Sequence, residues 1–188
     1  MTRPPVLIVI DVQQGFLNPQ WGPTDNPEAE DNIRALLALW RGKEWPIVLV
    51  RHDSQQSGSP LAPGQPGNEF QADIDGPHDL LVTKSVNSAF YGEPDLHQWL
   101  RGQGHTHVVI CGLTTNHCCE TTTRMAGNLG YRVSFVSDAT RTFDRVHPDG
   151  QVIGATDIAR ASAASLQGEF AEVTTTAELC ASITSEMA

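Results

Sequence analysis

The sequence lacks any apolar run approaching the roughly 18 residues that a membrane-spanning helix needs. Its start, Met1-Thr2-Arg3-Pro4-Pro5, runs straight into a strand-like stretch, without the apolar region and cleavage site of a secretory leader. Bases are scarce: 12 Lys and Arg against 22 Asp and Glu leave a net charge of −10. That balance argues against nucleic acid or an anionic membrane as a partner. The four cysteines, at 111, 118, 119 and 180, show neither zinc-ligand spacing nor the density of a disulfide scaffold. They read as free thiols in a reducing compartment, so a cytoplasmic protein is expected. Neither G-x-G-x-x-G nor G-x-x-x-x-G-K-[ST] occurs, and so both common phosphate cradles are missing. No repeat or linker divides the chain, which reads as one domain over 1–188.

What is present is alternation. Apolar, β-branched runs at 5–10, 46–50, 79–82, 108–111, 131–136 and 169–173 read as strands. Helical patterns lie between or after them, at about 26–43, 94–101, 117–127, 155–167 and 175–187. Strands alternating with helices predict an α/β fold: a three-layer α-β-α sandwich around a six-stranded parallel sheet. The Gly-, Pro- and Ser-rich segment 54–76 is too polar for core and is expected at an active site or interface. The segment 140–150 reads as a charged loop.

Chemistry is suggested by three residues that follow strands. Asp11, Lys84 and Cys118 lie beyond the ends of different apolar runs, and a doubly wound sheet gathers those carboxyl ends at one crevice. Each alone has an ordinary structural reading, as a cap, a solvated charge or a small buried side chain. Their shared placement favours a nucleophile (Cys118), an electrostatic activator (Lys84) and a proton carrier (Asp11). Cys118 and Cys119 fall in the first turn of a predicted helix, where the dipole and a nearby ammonium favour thiolate. Backbone N–H groups of the turn 112–116 suit an oxyanion hole.

The stretches LIVIDVQQGF, VTKSVNSAFYG and VVICGLTTNHCCETTTRMAGNLGYRVSFVSDAT carry a resemblance to the isochorismatase-like cysteine hydrolases. That family includes nicotinamidases and N-carbamoylsarcosine, ureidoacrylate and biuret hydrolases. The resemblance implies a six-stranded parallel sheet and an Asp11, Lys84, Cys118 triad. It aligns Cys118 with the nucleophile, which leaves Cys119 as a packing thiol. It also implies a cis peptide between Leu113 and Thr114, with the backbone N–H groups of Thr114 and Cys118 facing the oxyanion. The activity it implies is cleavage of a C–N bond in a small amide, ureido or carbamoyl substrate through a Cys118 thioester, without a cofactor. A homo-oligomer, dimer or tetramer, is implied as well. Phe16, His52, Phe90 and Tyr91 are the expected substrate-facing groups. No metal site is expected, because Arg51-His52-Asp53 departs from the D-x-H of the zinc-binding members; His52, His78 and His117 are the conceivable ligands. Vinyl ether hydrolysis, a regulatory module without chemistry, and a redox role for the adjacent cysteines remain as alternatives.

Overall fold

Five consecutive apolar residues with no polar alternation suit a strand covered on both faces. Val6–Ile10, strand β1, is buried along its whole length in the computed structural model, which describes residues 3–185. Val6, Ile8 and Ile10 face one core, and Leu7 and Val9 the other.

The chain continues through helix α1 (Ala29–Gly42), β2 (Ile47–His52), β3 (Leu80–Lys84), α2 (Leu96–Gly102) and β4 (His107–Leu113). It then forms α3 (Glu120–Asn128), β5 (Arg132–Arg141), a small antiparallel hairpin of β6 (Arg145–Val146) and β7 (Val152–Ile153), α4 (Ala155–Leu166), β8 (Glu172–Thr174) and α5 (Thr176–Ser185). Six strands form one parallel sheet in the order β3-β2-β1-β4-β5-β8. Helix α1 lays Ile33, Leu36, Leu37 and Trp40 on one face, where α5 adds Leu179 and Ile183. On the other face α2 contributes Leu96 and Leu100, α3 contributes Ala126 and α4 contributes Leu166. The result is the three-layer α/β sandwich that the alternation predicts.

The sheet order reverses between β1 and β4. Beyond their carboxyl ends neighbouring connections leave in opposite directions, which opens a crevice there. Gly112 lets the two strands close up at that point. It pairs with Ile10 at φ 128°, and a Cβ in its place would overlap the Ile10 carbonyl oxygen. The β4–β5 register also shifts between Ile110 and Gly112.

Three expectations are corrected. Segment 54–76 is not excluded from the core: Leu61, Asn68, Gln71 and Ile74 are buried, because side-chain hydrogen bonds replace the missing sheet partners. Segment 140–150 is not simply a loop. Strand β5 runs on to Arg141, Phe143 is buried against Phe16 and Trp21, and the hairpin follows. The helix expected from residue 117 starts later, at Glu120, after a π-helical turn over Thr115–Cys119. The last expected residues of the C-terminal helix, 186 and 187, lie outside the described residues.

Candidate active site

Asp11 is the first residue past β1 and is fully buried. Its φ of 53° is a left-handed conformation that Asp tolerates better than most side chains. The turn is held by Asp11 N–H donating to the Val50 carbonyl at 2.8 Å and by Gln13 N–H donating to the Asp11 carbonyl at 2.8 Å. Gln13, also fully buried, then ties this turn to the end of β2. Its amide donates to the carbonyls of His52 (3.0 Å) and Asn68 (2.9 Å) and accepts from His52 N–H (2.9 Å). Asn68 adds donations to the carbonyls of His52 and Leu61 and to Asp53 Oδ1. In this way an otherwise polar loop fixes His52 beside Asp11.

Lys84 ends β3, two strands away from β1. Strands lie about 4.8 Å apart, so only a long side chain crosses the end of β2 to reach Asp11. Its ammonium has three protons and meets three acceptors: Asp11 Oδ2 at 2.7 Å, His52 Nδ1 at 3.1 Å and Cys118 Sγ at 3.3 Å. Burial alone would lower the Lys84 pKa, but Asp11 and then Cys118 outweigh it and the net direction is upward. Burial, followed by Lys84, lowers that of His52, so the ring stays neutral and can accept from the ammonium.

Asp11, His52 and Cys118 each place a possible ligand atom within 4.8 Å of the other two. The Lys84 ammonium already engages all three and acts as the cation of the cluster. A metal ion would have to displace it.

Cys118 lies in the π-helical turn. The turn is fastened to the end of β5 by Thr115 Oγ1 donating to Thr140 Oγ1 (3.0 Å) and Thr142 Oγ1 donating to Asn116 Oδ1 (2.6 Å). The Leu113–Thr114 peptide is cis, and the Thr114 carbonyl accepts from His117 N–H and Cys119 N–H. Cys118 is 6% exposed and Cys119 is fully buried. Burial and then Asp11 push the Cys118 thiol upward, against the pull of Lys84. This corrects the expectation of a resting thiolate: the sulfur is buried, which disfavours its charged form, and the α-helix begins at Glu120, later than expected. Moving the thiol proton onto Asp11 leaves the net charge of the buried site unchanged. That step avoids the desolvation cost that opposes loss of the proton to solvent. Asp11 Oδ1 is buried and has no hydrogen-bond partner, which leaves an acceptor for such a proton.

The remaining expected residues fall in different places. Phe16 is buried, its ring tilted against Trp21 (5.4 Å) and stacked with Phe143 (6.4 Å). Phe90 stacks on Tyr131 at 6.0 Å. Tyr91 is 70% exposed and borders an open cavity of about 310 Å³, which Lys84 also lines but Cys118 does not. His78 bonds the Gly76 carbonyl at the surface, and His117 is likewise exposed, outside the donor cluster. Sequence reasoning missed Gln13, Asn68 and Asn87. Asn87 Oδ1 accepts from Cys118 Sγ at 3.7 Å. The available signals were slight: Gln13 two residues after Asp11, and Asn87 three after Lys84.

The family model for the isochorismatase domain matches residues 5–178. The chain is 40% identical over 182 residues to the isochorismatase family protein YrdC of Bacillus subtilis (strain 168), covering 95% of this chain and 96% of that one. It is 31% identical over 153 residues to nicotinamidase 3 of Arabidopsis thaliana, covering 73% of each. The crystal structure of a hydrolase of the isochorismatase family from Chromobacterium violaceum ATCC 12472 superposes with a TM-score of 0.92 at 36% identity, covering 96% of this chain and 94% of that one. With a matching sheet, a match along nearly its whole length and these relatives, the chain belongs to the isochorismatase family of hydrolases.

Proposed function

We propose that the chain is a cysteine hydrolase that cleaves a C–N bond of a small amide, ureido or carbamoyl compound through a thioester on Cys118. The observation that carries this reading is the Lys84 ammonium bonded at once to Asp11 and to the Cys118 sulfur. It links a proton acceptor and a nucleophile through one fixed positive charge. Nicotinamidase 3, by its name an amide hydrolase, supports the choice of bond.

In the first half-reaction the Cys118 proton moves to Asp11 and the sulfur attacks the carbonyl carbon. The carbonyl electron pair moves onto oxygen, held by the backbone N–H groups of Thr114 and Cys118. Collapse restores the C=O and breaks the C–N bond, and Asp11 gives its proton to the leaving nitrogen. Water then attacks the thioester while Asp11 takes its proton. The C–S bond breaks, an acid departs, and the proton returns to the sulfur. The sum is one amide and one water giving one acid and one amine.

The four free cysteines fit a cytoplasmic setting, and the exposed Val146, Val152 and Ile153 of the hairpin fit a homo-oligomer. A panel of small amides, ureides and hydroxamates is assayed for ammonia or amine release, with acid-quenched protein weighed for an acyl group on Cys118. Cys118→Ala should be inert and Cys119→Ala active. An inert Cys119→Ala beside an active Cys118→Ala would refute the reading.

A further inference from the structure

Lys84 Nζ has three acceptors, and the reaction changes two of them. Asp11 begins as a carboxylate and becomes a neutral acid when it takes the thiol proton. Cys118 Sγ begins as a thiol, becomes a thiolate and is then bonded to carbon, where sulfur is a weak acceptor. In the tetrahedral intermediate neither partner carries a charge to hold the ammonium, whose side chain is fully buried. His52 Nδ1, at 3.1 Å, takes no part in these exchanges and offers the same lone pair in every state.

We propose that His52 is a positioning residue whose Nδ1 holds the Lys84 ammonium beside Cys118 while Asp11 and the sulfur exchange charge. The inference rests on the cysteine-hydrolase reading and gives His52 a task on Lys84 in place of the expected contact with substrate. The ring is built into place for it. The buried Gln13 amide bonds both the N–H and the carbonyl of His52, and Asn68 Nδ2 adds a second bond to that carbonyl. The charged groups around the ring leave Nδ1 to the lysine. Asp53 is engaged by Arg51 and Asn68, and Asp11 Oδ2 stands 4.0 Å away, itself bonded to Lys84. An ammonium can only donate, so Nδ1 accepts and the one proton of the neutral ring sits on Nε2. A lysine head group on its four-carbon stem is otherwise free to turn. Steered by Asp11 and the sulfur alone, it would follow whichever is charged and leave the other.

Alkylation of Cys118 by iodoacetamide needs no substrate and reads the position of the ammonium. Lys84 pulls the thiol pKa down, so an ammonium that drifts from the sulfur lets it rise. His52→Leu covers the lysine but has no lone pair. It should move the climb of alkylation up by at least about one pH unit, which is about tenfold slower at a given pH. His52→Asn, whose Oδ1 stands roughly where Nδ1 does, should stay within about threefold of wild type. On any amide of the panel that is turned over, His52→Leu should lower kcat by at least about tenfold and change KM by less than about threefold. Ring-nitrogen NMR of the wild type should show Nδ1 bare and Nε2 protonated at neutral pH. An unmoved alkylation profile in His52→Leu, equal displacement in both variants, or a change confined to KM overturns the assignment. So does a proton on Nδ1, a result that stands even if His52→Leu fails to fold. Amine release that persists in Cys118→Ala sinks the cysteine-hydrolase reading and this inference with it. An unmoved profile beside an inert Cys118→Ala sinks this inference alone.

Discussion

Lys84 Nζ lies 2.7 Å from Asp11 Oδ2, and neither side chain reaches solvent. Taking both charges out of water is costly, and the pair persists because each screens the other and His52 and Cys118 occupy the remaining ammonium protons. A buried pair of this kind is weak evidence for stability. Its breakage is another matter.

Lys84→Met removes the cation and leaves Asp11 as an uncompensated buried carboxylate. Unfolding in urea should show a loss of about 3–5 kcal/mol. The double variant with Asp11→Asn should regain part of that loss, because no charge is then stranded. A single variant within about 1 kcal/mol of wild type would mean that water reaches Asp11.

The state of the Cys118 thiol is checked by the pH dependence of its alkylation. Burial first and Asp11 second raise its pKa, so thiolate is the minor form at neutral pH and grows as pH rises. The iodoacetamide rate should keep climbing beyond pH 9, with no plateau between 6 and 8. Asp11→Asn removes a nearby negative charge, which should move that climb to lower pH. Turnover in the same variant should fall by about 10²–10⁴, the usual share of a general acid–base group. A climb displaced to higher pH would contradict the assigned influence of Asp11.

Gly112→Ala tests the closure of β1 on β4. The added methyl would overlap the Ile10 carbonyl, in a conformation that L residues rarely adopt. A loss of more than about 3 kcal/mol is expected, together with loss of Cys118 alkylation selectivity, since Asp11 follows Ile10 directly. Wild-type stability would show that the two strands part easily.

His107 lies far from the candidate site, at the start of β4, with Nε2 3.0 Å from Ser134 Oγ. Burial, and then Arg132, lower its pKa to about 4 from an ordinary 6.5. Below 6.5 the unfolded chain therefore binds a proton that the folded chain refuses, and stability is lost as pH falls toward 4. Between pH 7 and pH 5 this one group should cost about 2 kcal/mol. Urea midpoints at both pH values should show His107→Gln losing that much less than wild type; an equal drop would place the acid sensitivity elsewhere.

Periodicity was enough for the sequence to determine the layers of the fold. Apolar runs of strand length, each followed by a helical stripe, leave little choice but a parallel sheet between helices, and the residues at strand ends mark its reactive edge. Asp11, Lys84 and Cys118 were legible there as isolated letters. Tertiary structure alone decided how they meet. Strand order placed β3 two positions from β1, so that a lysine side chain is needed to span the gap. Segment 54–76 looked too polar for core, but Gln13 and Asn68 bury it through hydrogen bonds that no hydropathy pattern records. The reactive stretch changed most. Local position suggested a helix start that favours thiolate, whereas burial and a carboxylate from a distant strand favour the thiol. Desolvation and through-space charge depend on what the folded chain gathers around an atom, and neighbouring residues in sequence do not encode that.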